Sequence, residues 1–264
     1  MKILSHILLS GLLFFSVAVV AGVNACYAET SIDTIIFPFE RKTFIEGNKS
    51  VSFHLRNGTA NIPYLIQGSM EYFSEATGKN AETGNKAENL PFIITPPLFK
   101  LEPGKAYDWR ILFSGNTDSL PKDRESAYIV KFRAIPPKKI DIDEEVKGDN
   151  KKTDFTAIQA IHFKVYYRPK AFEKLLIEDA QKKLSFRVEG NELVVKNDSP
   201  IYMALDSFEV AGATFLEDEL FKPLIPLGEQ RFKFKGNIKS GSKATWSVLD
   251  ELVLDLPKET SVIQ

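Results

Sequence analysis

Short stretches in which apolar and polar residues alternate, each bounded by turn residues, constrain this chain more than any other feature. In "SVSFHLRN" (50–57), Val51, Phe53 and Leu55 fall on one face of an extended strand, and polar residues fall on the other. The flanking segments "GNKS" and "NGTANIP" contain the Gly, Asn and Pro residues that favour turns. Similar segments recur along the chain, among them "YLIQGSMEYF", "SAYIVKFRAI" and "IHFKVYY". The sequence therefore predicts an all-β fold of the sandwich type.

The strand segments form two groups, which predicts two β-sandwich domains of unequal size. The first group ends at "YYRP", where Pro169 stops a strand because proline cannot donate a backbone hydrogen bond. A short helical turn is expected there, and the second group begins at "LSFRVEGNELVVKN", with a turn at Gly190-Asn191. The hydrophilic segment "IPPKKIDIDEEVKGDNKKTD" is expected to be a disordered loop that joins two strands. We place the two domains at residues 29–169 and 170–264.

Residues 1–28 have the features of a cleaved export signal. Lys2 supplies a positive start, a long apolar run follows, and "CYA" places small residues before a cleavage site after Ala28. Two alternatives remain open, an uncleaved membrane anchor and a lipoprotein in which Cys26 carries the lipid. Cys26 is the only cysteine of the chain, so a mature protein that starts at Glu29 has no thiol. Disulfides, thiolate catalysis and cysteine metal sites are then excluded, and the hydrophobic core alone must hold the fold.

The sequence contains no pattern that predicts catalysis, a metal site or a cofactor. The formal net charge of −1 argues against a general nucleic-acid binder. His54 and His162 lie in strand patterns and have no second ligand at the spacing of a metal site. Neither a phosphate-binding glycine loop nor a G-x-S-x-G elbow occurs, and the acidic pairs lie in polar segments typical of solvated surface. We therefore do not expect an enzyme.

Several cations stand where the strands are expected to be half buried. Arg41 follows the run "IIFPFE", Lys164 lies within "IHFKVYY", and Arg168 follows directly after it. The segment "LPKDRES" (120–126) brings further charges to the start of an apolar strand. A buried cation is costly unless it pairs with an anion, although a long side chain can also reach solvent past its apolar neighbours. The pattern alone leaves both explanations open.

Five segments follow one another in a recognisable order: "RKTFIEGNKSVSFHLRN", "PYLIQ", "PFIITPPLFKLEPG", "LPKDRESAYIVKFRAIPP" and "FKVYYRP". Together they resemble the periplasmic chaperones of the chaperone–usher pilus pathway, the PapD-like family. The resemblance is dense in the first domain and thinner in the second. It implies two immunoglobulin-like β-sandwich domains in an L-shaped (boomerang) arrangement. It also implies a function. Such a chaperone lends an edge strand to pilus subunits, which lack their final strand, and delivers them to an outer-membrane usher.

The resemblance implies roles for individual charged residues. Arg41 and Lys164 match the two cations with which the family binds the C-terminal carboxylate of a subunit, an interaction that fixes the register of the added strand. Glu125 and Arg168, together with Asp250, match a salt bridge that joins the two domains. On this interpretation the charges of "LPKDRES" lie against the core because the core ends at a junction between domains.

The resemblance also implies a donor strand for the subunit groove. Its same-face residues are Phe155, Ala157, Gln159 and Ile161, of which the first three would enter the groove. Gln159 stands where the family has a large apolar residue, whereas Ile158 falls on the other face. Either the subunit has an unusual pocket, or a bulge shifts the register of the strand.

Other interpretations and several details remain open at this point. The alternative function is a fimbrial structural subunit or adhesin built of two sandwiches. A secreted hydrolase would require a nucleophile and a base that the sequence does not show. The sequence names neither the subunit nor the usher, and it does not decide between long-loop and short-loop subfamilies. An apolar edge strand could also lead the free chaperone to self-associate.

Overall fold

The structure of the protein is a computed structural model that describes residues 34–81, 90–137 and 157–264. In these ranges β-strands form nearly all of the regular structure, and they are arranged in four sheets. Two sheets form a sandwich in the first part of the chain, and two form a sandwich in the second part. The structure thus has the all-β architecture with two β-sandwich domains that the sequence predicts.

The first domain packs a four-stranded sheet against a five-stranded sheet. The four-stranded sheet has the order β1-β3-β7-β5, with strands β1 (Ile35–Ile36), β3 (Ser50–Asn57), β5 (Phe92–Thr95) and β7 (Ala106–Phe113). The five-stranded sheet has the order β2-β9-β8-β4-β6, with strands β2 (Lys42–Ile45), β4 (Tyr64–Tyr72), β6 (Leu98–Leu101), β8 (Ser126–Ile135) and β9 (Gln159–Arg168).

The second domain packs two four-stranded sheets against each other. One has the order β10-β11-β15-β13, with strands β10 (Leu184–Glu189), β11 (Glu192–Asn197), β13 (Ala213–Phe215) and β15 (Gly228–Gly236). The other has the order β14-β12-β16-β17, with strands β12 (Met203–Val210), β14 (Pro223–Leu224), β16 (Lys243–Val248) and β17 (Glu259–Val262).

Helical structure in the described ranges is limited to short segments. The two α-helical turns are α1 (Ile177–Ala180) and α2 (Glu217–Leu220), and the 3-10 turns are Thr117–Ser119, Lys170–Phe172 and Gln181–Lys183. The turn at Lys170–Phe172 is the one expected after Pro169. No helix in the described part of the chain is long and apolar enough to cross a membrane.

Each domain has its own hydrophobic core, built from the inward faces of its strands. In β3 the side chains of Phe53 and Leu55 are buried, whereas Ser52, His54 and Arg56 are exposed, as the alternation predicts. Large aromatic side chains fill the first core, among them the fully buried Trp109, and the second core contains the buried Trp246. Complete burial of such a side chain contributes roughly 1.5–3 kcal/mol, so aromatic packing can stabilise domains that have no disulfide.

A change of sheet near the start of the first domain determines where Arg41 lies. β1 pairs with β3 in the four-stranded sheet, whereas β2 pairs in parallel with β9 in the five-stranded sheet. The chain between β1 and β2 crosses from one sheet to the other and contains Pro38, which favours such an interruption. Arg41 is the last residue of this crossing.

Four predictions about the chain are not tested by the structure. The polar loop between β8 and β9 falls largely on residues 138–156, which lie outside the described residues, as do residues 1–33 with the export signal. The L-shaped arrangement and the boundary between residues 169 and 170 stay predictions.

Candidate functional site

A parallel strand pairing places two cations side by side in the first domain. β2 and β9 align with Lys42 opposite Val165, so Arg41, which directly precedes β2, lies close to Lys164 of β9. The pKa of the Lys164 ammonium reflects this position, because burial lowers it and the positive charge of Arg41 lowers it further. The structure therefore brings together the two cations of the predicted carboxylate anchor.

Arg41 is held by contacts from three directions. Its side chain is only 7% exposed, and Nη2 donates a hydrogen bond to Glu125 Oε2 at 2.6 Å. The guanidinium carbon lies 3.7 Å from the centroid of the Tyr166 ring, and the backbone amide of Arg41 donates to the carbonyl of Glu251 at 2.9 Å. Burial acts to lower the pKa of Arg41, but the charge and hydrogen bond of Glu125, together with Tyr166 and Glu251, raise it overall. Among the described residues Nε, which is itself buried, has no hydrogen-bond partner.

Glu125 connects the two domains beside Arg41. Its buried carboxylate accepts from Arg168 Nε through Oε1 at 2.7 Å, and from the backbone amide of Tyr202 through Oε2 at 2.8 Å. Arg168 in turn donates to the carbonyl of Leu175 at 2.8 Å. One carboxylate thus links two cations of the first domain to the backbone of the second. The pairing compensates for removing these charges from water, which explains why Glu125 lies at the start of an apolar strand.

Lys164 has fewer stabilising contacts than Arg41 among the described residues. Its ammonium nitrogen lies 5.5 Å from the centroid of the Phe73 ring. Within the described ranges, no carboxylate contributes to the pKa of Lys164, and no ion pair forms with it. A half-buried ammonium without a counter-charge is unfavourable. None of the described carboxylates supplies the counter-charge that Lys164 lacks.

The first half of β9 forms an open sheet edge that leads to these cations. β8 pairs with β9 continuously from Gln159 to Tyr167, whereas β2 covers only Val165–Arg168. On the side opposite β8, no described strand pairs with residues 159–164. Thr34 contacts this edge through its hydroxyl, which donates to the side-chain oxygen of Gln159 at 3.1 Å. The outward backbone groups of residues 159–164 are available to an added strand.

Two family models together match most of this chain. Residues 41–173 match the family described as "Pili and flagellar-assembly chaperone, PapD N-terminal domain", and residues 179–252 match "Pili assembly chaperone PapD, C-terminal domain". This chain belongs to the PapD family of pilus assembly chaperones. The family, the two-sandwich fold and the absence of an enzymatic role are thereby confirmed. The alternative of a fimbrial structural subunit or adhesin is not supported, because both domains match chaperone models.

Individual relatives agree with the PapD-family assignment. The chaperone protein FimC of Escherichia coli O6:H1 is 32% identical over 259 residues, covering 97% of this chain and 93% of FimC. The chaperone protein FimB/FhaD of Bordetella pertussis is 31% identical over 234 residues, covering 87% and 89% of the two chains. A chain in the structure of the Salmonella enterica SafA pilin with the SafB chaperone has a TM-score of 0.68 and 25% identity, and the match covers 88% of this chain and 98% of that one.

The structure corrects one predicted member of the interdomain salt bridge of this PapD-family chaperone. Asp250 Oδ1 accepts hydrogen bonds from the backbone amides of Leu252 and Leu254, at 2.8 and 2.9 Å. The carboxylate of Asp250 therefore closes a turn of its own loop and makes no ion pair with Arg168. From its position in the sequence, Asp250 could either pair with Arg168 or cap its own turn. In the structure the amides of Leu252 and Leu254 take up its carboxylate.

The structure also corrects the predicted donor strand. Ile161 is only 7% exposed and packs in the core of the first domain, so its side chain is not available to a partner. Ala157 and Gln159 are exposed, and Phe155 lies outside the described residues. The pairing of β8 with β9 is continuous from Gln159 onward, so no bulge shifts the register within this range.

The sequence interpretation missed three residues of the junction. Glu251 binds the amide of Arg41 through its carbonyl and the amide of Ile177 through its carboxylate, the latter at 3.0 Å. Tyr166 supports the Arg41 guanidinium, and Tyr202 supplies an amide to the junction. The motif "YYRP" contains Tyr166, so the sequence could have indicated a role for this tyrosine. No local pattern in the sequence separates Glu251 from its neighbour Asp250. In the described ranges, no group of three or more His, Cys, Asp or Glu side chains is arranged as a metal site.

Proposed function

We propose that this PapD-family chaperone acts in the periplasm, where it binds a pilus subunit by donor-strand complementation and delivers it to an outer-membrane usher. The observation that carries the proposal is an open strand edge, residues 159–164, that ends at the adjacent cations Arg41 and Lys164. A strand of the subunit would extend the five-stranded sheet along this edge. Its C-terminal carboxylate would then reach the two cations.

The charges of the site favour a carboxylate as the anion. Arg41 already shares Glu125 with Arg168, yet its Nε lacks a partner among the described residues. Lys164 carries a pKa lowered by burial and by Arg41, and an incoming carboxylate would counter both effects. Charge-assisted hydrogen bonds to a carboxylate are stronger than neutral ones, and they would fix the end of the added strand at one register.

The exposed residues before and at the start of β9 would meet the subunit groove. Ala157 and Gln159 are exposed, and Phe155 completes the proposed donor set. Because Ala157 is small and Gln159 is polar, the subunit pockets opposite them would be shallower or more polar than pockets that take large apolar side chains. Affinity would then depend strongly on backbone pairing and on the carboxylate anchor.

The proposal is tested by capture of subunits from the periplasm of the host. Tagged mature protein is compared with Arg41→Ala and Lys164→Ala, and the bound proteins are identified by mass spectrometry. We expect sandwich-sized pilus subunits with the wild type and a loss of at least about tenfold with Lys164→Ala, because a desolvated charge pair loses one partner. Arg110→Ala removes an exposed cation from the other sheet and serves as the control.

Equal capture by all four proteins would contradict the carboxylate anchor. Thermal unfolding of each variant distinguishes lost binding from lost folding. This matters most for Arg41→Ala, which leaves Glu125 without one of its two cations. Lys164→Ala removes no described ion pair and is therefore the more direct test.

Two further properties belong to the same proposal. We infer that export is followed by cleavage after Ala28, which N-terminal sequencing of the mature protein would test. We also infer that the free chaperone can associate with a second copy through the open edge of β9, because an unpaired edge is a template for another strand. Sedimentation over a range of concentrations, with and without bound subunit, would test the association.

A further inference from the structure

A turn of the second domain exposes three consecutive apolar side chains beside the cation site. Leu252, Val253 and Leu254 follow β16 and are 60%, 37% and 59% exposed. We name these three residues the apolar turn. Single exposed apolar residues are common, but three adjacent ones on one turn are typical of an interaction surface.

Hydrogen bonds within the loop hold the apolar turn in one conformation. The amide of Asp250 donates to the carbonyl of Leu254 at 2.8 Å, and the amide of Val253 donates to the carbonyl of Asp250 at 3.2 Å. The carboxylate of Asp250 accepts from the amides of Leu252 and Leu254. These bonds fix the backbone, so the apolar side chains are presented at defined positions. A preorganised surface loses less conformational entropy when it binds.

The backbone of the apolar turn is strained at its centre. Val253 has φ of 62°, in the left-handed region that β-branched residues avoid. Gly or Asn would adopt this conformation more easily, yet the chain places an apolar β-branched residue there. Strained backbone that also exposes apolar side chains to water is unfavourable for folding alone. Such features are found where a binding function maintains them.

The apolar turn is directly connected to the predicted carboxylate anchor. Glu251, the residue that precedes the turn, accepts the backbone amide of Arg41 through its carbonyl at 2.9 Å. Its carboxylate accepts the amide of Ile177 at 3.0 Å, and the neighbouring Leu176 is also exposed. The turn is therefore one residue away from a backbone contact with Arg41. The apolar turn therefore lies beside the backbone of one of the two anchor cations.

We propose that the apolar turn docks the apolar residues that immediately precede the C-terminal carboxylate of the subunit. The inference rests on the proposed function, since it takes that carboxylate to lie between Arg41 and Lys164. The open edge of β9 pairs with backbone, which is the same for every sequence. The apolar turn instead contacts side chains and favours subunits with an apolar C-terminal end. The second domain thereby contributes specificity to an interaction whose strand pairing lies in the first.

Peptide binding tests this specificity separately from the anchor. The probes are fluorescent synthetic peptides of alternating Val and Thr that end in Leu-Leu or in Ser-Ser, each with a free carboxylate or an amide. Fluorescence anisotropy gives the dissociation constants for the wild type and for the double variant Leu252→Ser/Leu254→Ser. The control is Val262→Ser, which changes an exposed apolar residue at the far end of the same sheet, where Val262 pairs with Lys243.

We expect the wild type to bind the Leu-Leu carboxylate peptide about tenfold more tightly than the Ser-Ser carboxylate peptide, the effect of burying apolar surface. The double variant should lose this preference and keep its preference for carboxylate over amide. Val262→Ser should behave as the wild type. The inference is overturned if the double variant keeps the Leu-Leu preference, or if the wild type has none.

The two proposals fail in different ways. If the wild type does not distinguish carboxylate from amide, the anchor is wrong, whatever the peptide's last residues are. If carboxylate is preferred and the last residues make no difference, only the role of the apolar turn is wrong. A second variant, Val253→Gly, relaxes the strained backbone, so we expect a higher melting temperature and a weaker Leu-Leu preference. An unchanged preference in Val253→Gly would contradict a role for the rigid turn.

Discussion

Glu125 is the residue on which the charge balance of the domain junction depends. Glu125→Gln keeps the shape of the side chain and removes the negative charge that pairs with Arg41 and Arg168. Two buried guanidinium groups would then lack their counter-charge, so we expect the free energy of unfolding to fall by about 3 kcal/mol. Urea unfolding followed by tryptophan fluorescence measures the loss.

An exposed carboxylate provides the control for Glu125. Glu102 pairs with Lys100 at 2.7 Å, and both side chains are more than half exposed. Glu102→Gln should therefore change the free energy of unfolding by no more than about 0.5 kcal/mol. If the two variants lose similar free energies of unfolding, the Glu125 network stabilises the fold no more than an ordinary surface ion pair does.

Lys164 gives the stability of the chaperone a pH dependence of definite sign. Burial and the charge of Arg41 lower its pKa in the folded protein below the value of 10.5 expected when it is unfolded. Between these two pKa values the unfolded chain binds more protons, so the Lys164 contribution to stability rises with pH. Melting temperatures of the wild type and Lys164→Met should therefore converge as pH approaches 10.5. A difference that grows with pH would show that the sign is wrong.

At the scale of the element, the alternation of β9 predicts which positions meet the subunit. Gln159 lies on the same face as Ile161, and Ala160 lies on the opposite face, although both Gln159 and Ala160 are exposed. If the face of Gln159 enters the subunit groove, Gln159→Leu should bind the captured subunit about five- to tenfold more tightly, because it buries more apolar surface. Surface plasmon resonance gives the two dissociation constants.

Ala160→Leu is the matched control for this register. It adds a comparable apolar side chain one residue later, on the other face of β9, and we expect no gain in affinity. A gain with Ala160→Leu and none with Gln159→Leu would mean that the bound strand is shifted by one residue. That outcome would leave the chaperone function intact and change only the donor residues.

At the scale of the whole molecule, a loop of the first domain packs against the backbone of the second. A Cβ atom on Gly78 would lie 2.1 Å from the carbonyl oxygen of Phe221. The side-chain amide of Gln230 donates to the carbonyl of Glu75 at 2.8 Å, and the Tyr202 hydroxyl donates to the Glu75 carboxylate. Burial raises the pKa of Tyr202, and the negative charge of Glu75 raises it further, so the hydroxyl stays protonated as a donor.

A pair of glycine substitutions tests this contact between the domains. Gly78 and Gly104 have similar left-handed conformations, with φ of 71° and 69°, but nothing lies within 4 Å of a Cβ on Gly104. Both Gly→Ala changes strain the backbone, and only Gly78→Ala also pushes against the other domain. We expect Gly78→Ala to cost about 1–2 kcal/mol more than Gly104→Ala. Small-angle X-ray scattering should detect an altered domain arrangement in Gly78→Ala alone; equal costs and unchanged scattering would contradict the contact.

The fold was predictable because strands and turns depend on neighbouring residues. The alternation of Val51, Phe53 and Leu55 is a local property, and Gly190 has the positive φ expected of the predicted turn. The anchor could be located through the resemblance, since Arg41 and Lys164 lie far apart in the chain and no local pattern joins them. Their proximity requires the parallel pairing of β2 with β9.

The sequence by itself determined the two β-sandwiches, the family and the segments that carry the site, because periodicity, turn residues and motifs are written along the chain. Only the tertiary structure decided which charged groups meet. Asp250 and Glu251 are adjacent and chemically alike, yet one closes its own turn and the other contacts Arg41. Likewise, packing buried Ile161 and left Leu252 in solvent. These outcomes depend on the direction of each side chain after the domains have packed, and long-range contacts set that direction.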